Sequence, residues 1–271
     1  MQQIGGRSLA LGLWVVTERE LVKFLRQRER LLSALVRPLL WLIVFASGLH
    51  DLLGVSVIAP YRTYTPYQEY ILPGLLGMVV LFQAMQSALS LVYDKESGVM
   101  RVMLVTPLPR PYLLFAKILA AAVLGLLQCT AFLIVAALFG IHMPWATLAL
   151  IIPSLLASGL MLGAIGLVVS VYTRQIENFA GMMNFVIFPM FFLSSALYPL
   201  WKLREAGARA IYWLALCNPF SHAVELIRFA AYGQVNAVSA AVVVGVGLAA
   251  FALAARGYNP LIGTIGQIKR D

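Results

Sequence analysis

The chain has 271 residues, 61% of them hydrophobic and only 11% charged. Soluble domains carry roughly a quarter of charged residues, so a water-soluble globular fold is excluded and an integral membrane protein is expected. The net charge of +9 comes from 20 Lys and Arg against 11 Asp and Glu, and such an excess fits either nucleic acid binding or membrane orientation. Arg7, Arg19, Lys23, Arg26, Arg28 and Arg30 all precede the first strongly apolar run. They lack the basic and aromatic interleaving of a nucleic-acid reader, so no nucleic-acid partner is expected.

Residues 9–16 resemble a signal-peptide core, but a charge cluster follows instead of a small-residue cleavage site, which predicts that they stay in the mature protein. Over 17–30, Leu21, Phe24, Leu25, Arg28 and Leu32 recur at helical spacing, with Lys23, Arg26, Gln27 and Arg30 on the other side. This predicts an interfacial helix that anchors to head groups or contacts a cytosolic partner. A bilayer core of about 30 Å needs roughly 20 apolar helical residues per crossing. Six runs qualify, near 31–49, 71–93, 112–139, 147–171, 179–197 and 235–255. They lack the alternation of a membrane barrel, so helices are expected. The predicted fold is therefore all-α: six transmembrane helices in a single domain over 1–271.

Between the second and third runs lies a charged island, 94–111. Asp94, Lys95, Glu96, Ser97 and Gly98 open it, a short amphipathic run follows, and Thr106, Pro107, Leu108 and Pro109 stop it. It reads as a cytoplasmic coupling helix. Lys and Arg counts place the N-terminus, this island, Arg174 and the tail inside, so both termini are expected in the cytoplasm. Lys202, Arg204, Arg209 and Arg228 disagree, since 199–234 falls outside. The apolar stretch 210–217 is too short to cross and Asn218-Pro219 breaks it, which predicts an external re-entrant or interfacial helical hairpin.

The chain has no phosphate-binding loop, so uphill movement using ATP requires a separate subunit. No carboxylate sits in the central part of any run, which disfavours an ion-coupled carrier. Arg37 and Lys117 fall near predicted cytoplasmic helix ends, where snorkelling accounts for them. His50, His142 and His222 are scattered without metal-ligand spacing, so neither a metal site nor catalytic residues are expected. Cys129 and Cys217 are too few for a disulfide framework.

Several motifs recur in order. Arg19-Glu20, Phe24 and Arg26 are followed by Arg37-Pro38-Leu39-Leu40, then Leu72-Pro73-Gly74-Leu75-Leu76. Glu96, Gly98, Thr106-Pro107-Leu108 and Lys117 come next, and last Ser194-Ser195-Ala196-Leu197-Tyr198-Pro199 with Asn218-Pro219-Phe220, Glu225 and Arg228. Together they resemble the membrane subunit of ABC-2 type exporters, over almost the whole chain. Many members carry an acidic residue two or three positions after the loop glycine, whereas Met100 and Arg101 stand there. The resemblance implies a half-transporter in the cell inner membrane. Two copies would enclose a pathway, with two copies of a cytosolic ATPase beneath them that hold the ATP and Mg.

Three groups of candidate residues follow. Glu96, Gly98, Arg101, Thr106 and Pro107 are expected to couple to the ATPase, with a solvated helix end as the plain alternative. Phe82, Gln83 and Gln86 with Asn184, Phe188 and Phe191 are expected on the substrate pathway, because polar groups in lipid must pair or face a cavity. Ser87 and Ser194 share that reading. Asn218, Pro219, Glu225 and Arg228 are expected to form an external gate or clamp, Glu225 and Arg228 pairing three apart on one helix face. The expected cargo is hydrophobic or amphiphilic: a drug, a lipid or a lipid-linked glycan. A polysaccharide exporter, a non-transporting scaffold and a membrane-embedded enzyme are the alternatives.

Overall fold

The computed structural model describes residues 12–15, 17–19, 21–22, 36–44, 60, 67–97, 109–140, 147–173 and 175–258. All regular structure among them is helical. The longer helices are α1 (Tyr67–Glu96), α2 (Arg110–Leu138), α3 (Leu148–Tyr172), α4 (Ile176–Phe192) and α8 (Ala237–Gly257). Between the last two lie α5 (Leu200–Glu205), α6 (Arg209–Cys217) and α7 (Pro219–Ala231). A further helical stretch covers 36–44. Of the predicted interfacial helix, residues 17–19 and 21–22 are helical, and the others lie outside the described residues, as does most of 31–49.

Four of these helices are long and apolar enough to cross a membrane: Glu69–Glu96 within α1, then α2, α3 and α8. The chain is a multi-pass membrane protein. α4 has 17 residues, about 26 Å at the helical rise, so it falls just short of the hydrocarbon core on its own. It ends at Phe192 because the chain turns there. Ser194 Oγ donates to the Phe191 carbonyl at 2.6 Å and accepts from Ala196 N at 3.2 Å. Ser194 therefore serves a buried turn.

α3 is the central element, packed against α1, α2, α7 and α8. Its sequence explains this position. Gly159, Gly163 and Gly166 share one face, and a Cβ added to them would lie 3.0 Å from Ala122 Cβ, 3.2 Å from Ile118 Cβ and 3.0 Å from Ala88 Cβ. Without a hydrophobic force between helices in lipid, such close backbone approach supplies the packing that holds the bundle together.

α7 is amphipathic, and its apolar residues Phe220, Ala223, Val224 and Ile227 are fully buried. Asn218 starts it by accepting from Phe220 N at 2.9 Å, and Pro219 follows in the first turn. This is the local chemistry of a helix N-terminus. Phe220 and Val224 lie beside Gly77, whereas Arg228 stacks on Tyr70. Hence α7 climbs back antiparallel to the first turns of α1, with α6 and the Asn218 corner preceding it.

Candidate coupling site and transport pathway

At one end of the bundle, three consecutive charged side chains leave α1 toward three directions. Asp94 forms an ion pair with Lys117 of α2, and both side chains are buried. Lys95 Nζ donates to the Ser170 carbonyl at 2.8 Å and the Val171 carbonyl at 3.4 Å, closing the carbonyl end of α3 with a cation. It also lies 5.9 Å from the ring centroid of Tyr258, just beyond α8. Burial pushes the Tyr258 phenol up to about 12, with Arg110 opposing the shift and Asp94 adding to it, so this ring stays neutral. Glu96 Oε2 accepts from Ile176 N at 3.3 Å, at the first residue of α4. The last turn of α1 is thereby tied to α2, α3, α4 and the end of α8.

The plain reading of 94–96 as a solvated helix end holds only for the exposed Glu96, because Asp94 is 3% exposed and Lys95 is half-buried. Snorkelling likewise fails for Lys117, which meets a carboxylate and not head groups. Gly98, Arg101, Thr106 and Pro107 lie outside the described residues.

Midway along α1, Gln83 accepts from Gln128 Nε2 of α2 at 2.9 Å, and both amides are buried. One turn on, Gln86 Oε1 is buried without a hydrogen-bond partner. Arg37 stacks on Phe82, its guanidinium carbon 3.9 Å from the ring centroid. These residues line an open groove whose enclosed part is about 10 Å³, room for about one water. Phe82 lies about 21 Å from Glu96 and about 22 Å from Tyr67 along α1, counted at the helical rise. Arg37 is therefore level with the middle of the helix and not with a helix end, so snorkelling does not account for it either.

The other predicted pathway residues lie on α4 and do not converge on this groove. Asn184 and Phe188 are exposed on the surface of the chain. Phe191 is buried in the core against Trp41 and Phe220. Phe188 stacks on Phe192, so the exposed side of α4 carries a run of aromatic rings.

At the far end of α1, Arg228 is 2% exposed. It pairs with Glu225, donates through Nη2 to the Ser195 carbonyl at 2.7 Å and lies 4.2 Å over the Tyr70 ring. Tyr70 donates to that same Ser195 carbonyl at 3.0 Å, and Tyr67 to the Leu197 carbonyl. Asn218 Nδ2 donates to the Met190 and Leu193 carbonyls at 2.8 and 2.6 Å, which are left open where α4 ends. Pro219 sits in the first turn of α7. Arg228, paired with Glu225, and Asn218 thus fasten α7 to α1 and to the turn after α4, while Pro219 sits at the start of the helix.

Three residues, Gln128, Tyr67 and Tyr70, and one pairing, Asp94 with Lys117, are absent from the sequence reading. Gln128 carried the signal used for Gln83, an amide inside an apolar run, and was passed over. The pairing of Asp94 with Lys117 was legible as opposite charges facing each other across the island joining two antiparallel helices. Tyr67 and Tyr70 precede the predicted second span, and nothing local marks their partners, which lie some 130 residues on.

The chain also has relatives. A ycf38 protein of Cyanophora paradoxa, named as a transport permease, is 28% identical over 80% of this chain and 73% of its own length. The ycf38 protein of Pyropia yezoensis is 26% identical over 86% of this chain and 78% of its own. Nodulation protein J of Rhizobium leguminosarum bv. viciae is 26% identical over 75% of each. The family model described as ABC-2 type transporter matches residues 12–232, taking in the ion pair of Asp94 and Lys117, the groove at Arg37 and helices α5 to α7, and the chain belongs to that family.

Proposed function

We propose that this chain is the membrane subunit of an ATP-driven exporter that moves a hydrophobic or amphiphilic molecule, a drug, a lipid or a lipid-linked glycan, out of the cytoplasm or the inner leaflet. Two copies work with two copies of a separate ATPase, which holds ATP and Mg. Both termini and the 94–111 segment face the cytoplasm at the inner membrane, and the α5–α7 hairpin faces outward. The distribution of Lys and Arg supports that orientation.

The observation that carries the reading is the three-way anchorage of α1 by Asp94, Lys95 and Glu96. A partner pressing on 94–111 would not bend one loose helix end. It would move the ends of α2, α3 and α4 with α1, since packed interfaces shift between discrete arrangements and do not deform continuously. Glu96, Gly98, Arg101, Thr106 and Pro107 take the coupling role in this account. Phe82, Gln83 and Gln86 line the pathway on the groove side, with Asn184 and Phe188 supplied by the exposed side of α4 and Phe191 packed in the core behind them. Asn218, Pro219, Glu225 and Arg228 hold the outer clamp.

The test is copurification of the tagged chain, from its own cells, with a protein that carries a phosphate-binding loop, followed by ATP turnover in lipid vesicles with and without amphiphiles. A stable complex with amphiphile-stimulated turnover is the expected result. A chain that binds no ATPase fails the reading.

A further inference from the structure

Only two cations lie inside the six apolar runs, Arg37 and Lys117. Lys117 has its carboxylate in Asp94. Arg37 has a ring face, that of Phe82, and no ion pair among the described residues. The runs contain no Asp or Glu. The apolar runs of a second copy, carrying the same sequence, contain no carboxylate either. A guanidinium held level with the middle of a transmembrane helix is costly, and stacking on one ring does not cover that cost.

The neighbours of Arg37 are equally specific. Gln86 Oε1 is buried and unpartnered, and the Gln83 and Gln128 amides, bonded to each other, flank it. Met78 and Val79 complete the groove with apolar surface. A planar cation beside an unsatisfied amide oxygen matches a phosphate or carboxylate bearing a hydroxyl, and the apolar wall matches a hydrocarbon chain.

We infer that this groove binds the anionic head of the cargo, so that the molecule exported is an anionic amphiphile, its phosphate or carboxylate on Arg37 and its polar substituents on Gln86. This rests on the exporter reading for what happens after binding, though binding itself does not need the ATPase.

The experiment measures binding of a pyrene-labelled alkyl phosphate, against the matching alkyl alcohol, to the full chain in phosphatidylcholine nanodiscs. The phosphate should bind about tenfold more tightly or better, the scale of a charge-assisted hydrogen bond. Arg37→Gln should abolish that preference and leave the alcohol unaffected. Arg37→Lys, which keeps the charge but not the planar fork, should retain an intermediate preference and carries the test if the glutamine variant does not fold. Equal binding of the two probes by the wild-type chain, or equal loss of both in a folded variant, overturns the assignment. Displacement of the probe by phosphatidylglycerol supplied in the disc supports the assignment, since that lipid carries the same phosphate, hydroxyls and hydrocarbon chains. Failure to copurify with an ATPase would sink the exporter reading and leave the binding result standing, so the two failures are distinguishable.

Discussion

The Asp94 carboxylate and the Lys117 ammonium meet as a buried ion pair that joins the last turn of α1 to the second turn of α2. Removing one partner leaves an uncompensated charge in a low-dielectric site, at a cost of about 3–5 kcal/mol, whereas replacing both with apolar groups is often neutral. Lys117→Met should therefore lower the thermal stability of the purified chain sharply, and adding Asp94→Leu should restore most of it. Unfolding of the single and double variants in detergent checks this.

Gly74 closes α1 onto the turn after α4. A Cβ there would sit 2.4 Å from the Ala196 carbonyl oxygen, which is backbone and cannot swing aside. Gly74→Ala should cost about 1–3 kcal/mol through forced backbone shifts and should expose the 194–199 turn to proteolysis. Gly181→Ala, on α4 with nothing within 4 Å of the added atom, should be neutral or stabilising by up to about 1 kcal/mol from helix propensity. Parallel thermal and proteolytic assays compare the two.

Asn218 serves two helices at once: its side-chain oxygen caps α7 and its amide nitrogen donates to the open carbonyls of Met190 and Leu193. Asn218→Ala removes all three bonds, and losing the cap alone costs about 1 kcal/mol. Asn218→Asp keeps the cap and loses the donors to α4, so it should fall between wild type and alanine. Amide exchange along 219–231 reads the difference.

Much of the fold was legible in the sequence. Long apolar runs report helices directly, because lipid leaves the backbone no alternative. The ends were less legible. The fifth run continues to Leu197, yet α4 stops at Phe192, since the serine and asparagine side chains that end it act through a turn and a residue 25 or more positions away. Composition showed that Gln83 needed a partner and Arg37 an explanation. It did not show that the first finds Gln128 while the second lies level with the middle of α1. The first outcome depends on how α1 and α2 rotate against each other, and the glycine face of α3 packs against both through contacts distant in sequence.

The two cysteines provide a built-in topology assay. Cys129 is fully buried and Cys217 is exposed at the end of α6. A membrane-impermeant maleimide added to intact cells should label the wild-type chain once, at Cys217, and Cys217→Ser should abolish labelling. Labelling only after the membrane is opened would place the hairpin on the cytoplasmic side.

The central claim is that work done by a partner ATPase enters through the end of α1, and Glu96 is its most accessible element, exposed and bonded to the first residue of α4. The direct measurement is amphiphile-stimulated ATP turnover by the reconstituted complex carrying Glu96→Ala, compared with wild type at equal membrane insertion. The account predicts retained basal turnover with stimulation largely lost. Stimulation equal to wild type would contradict it.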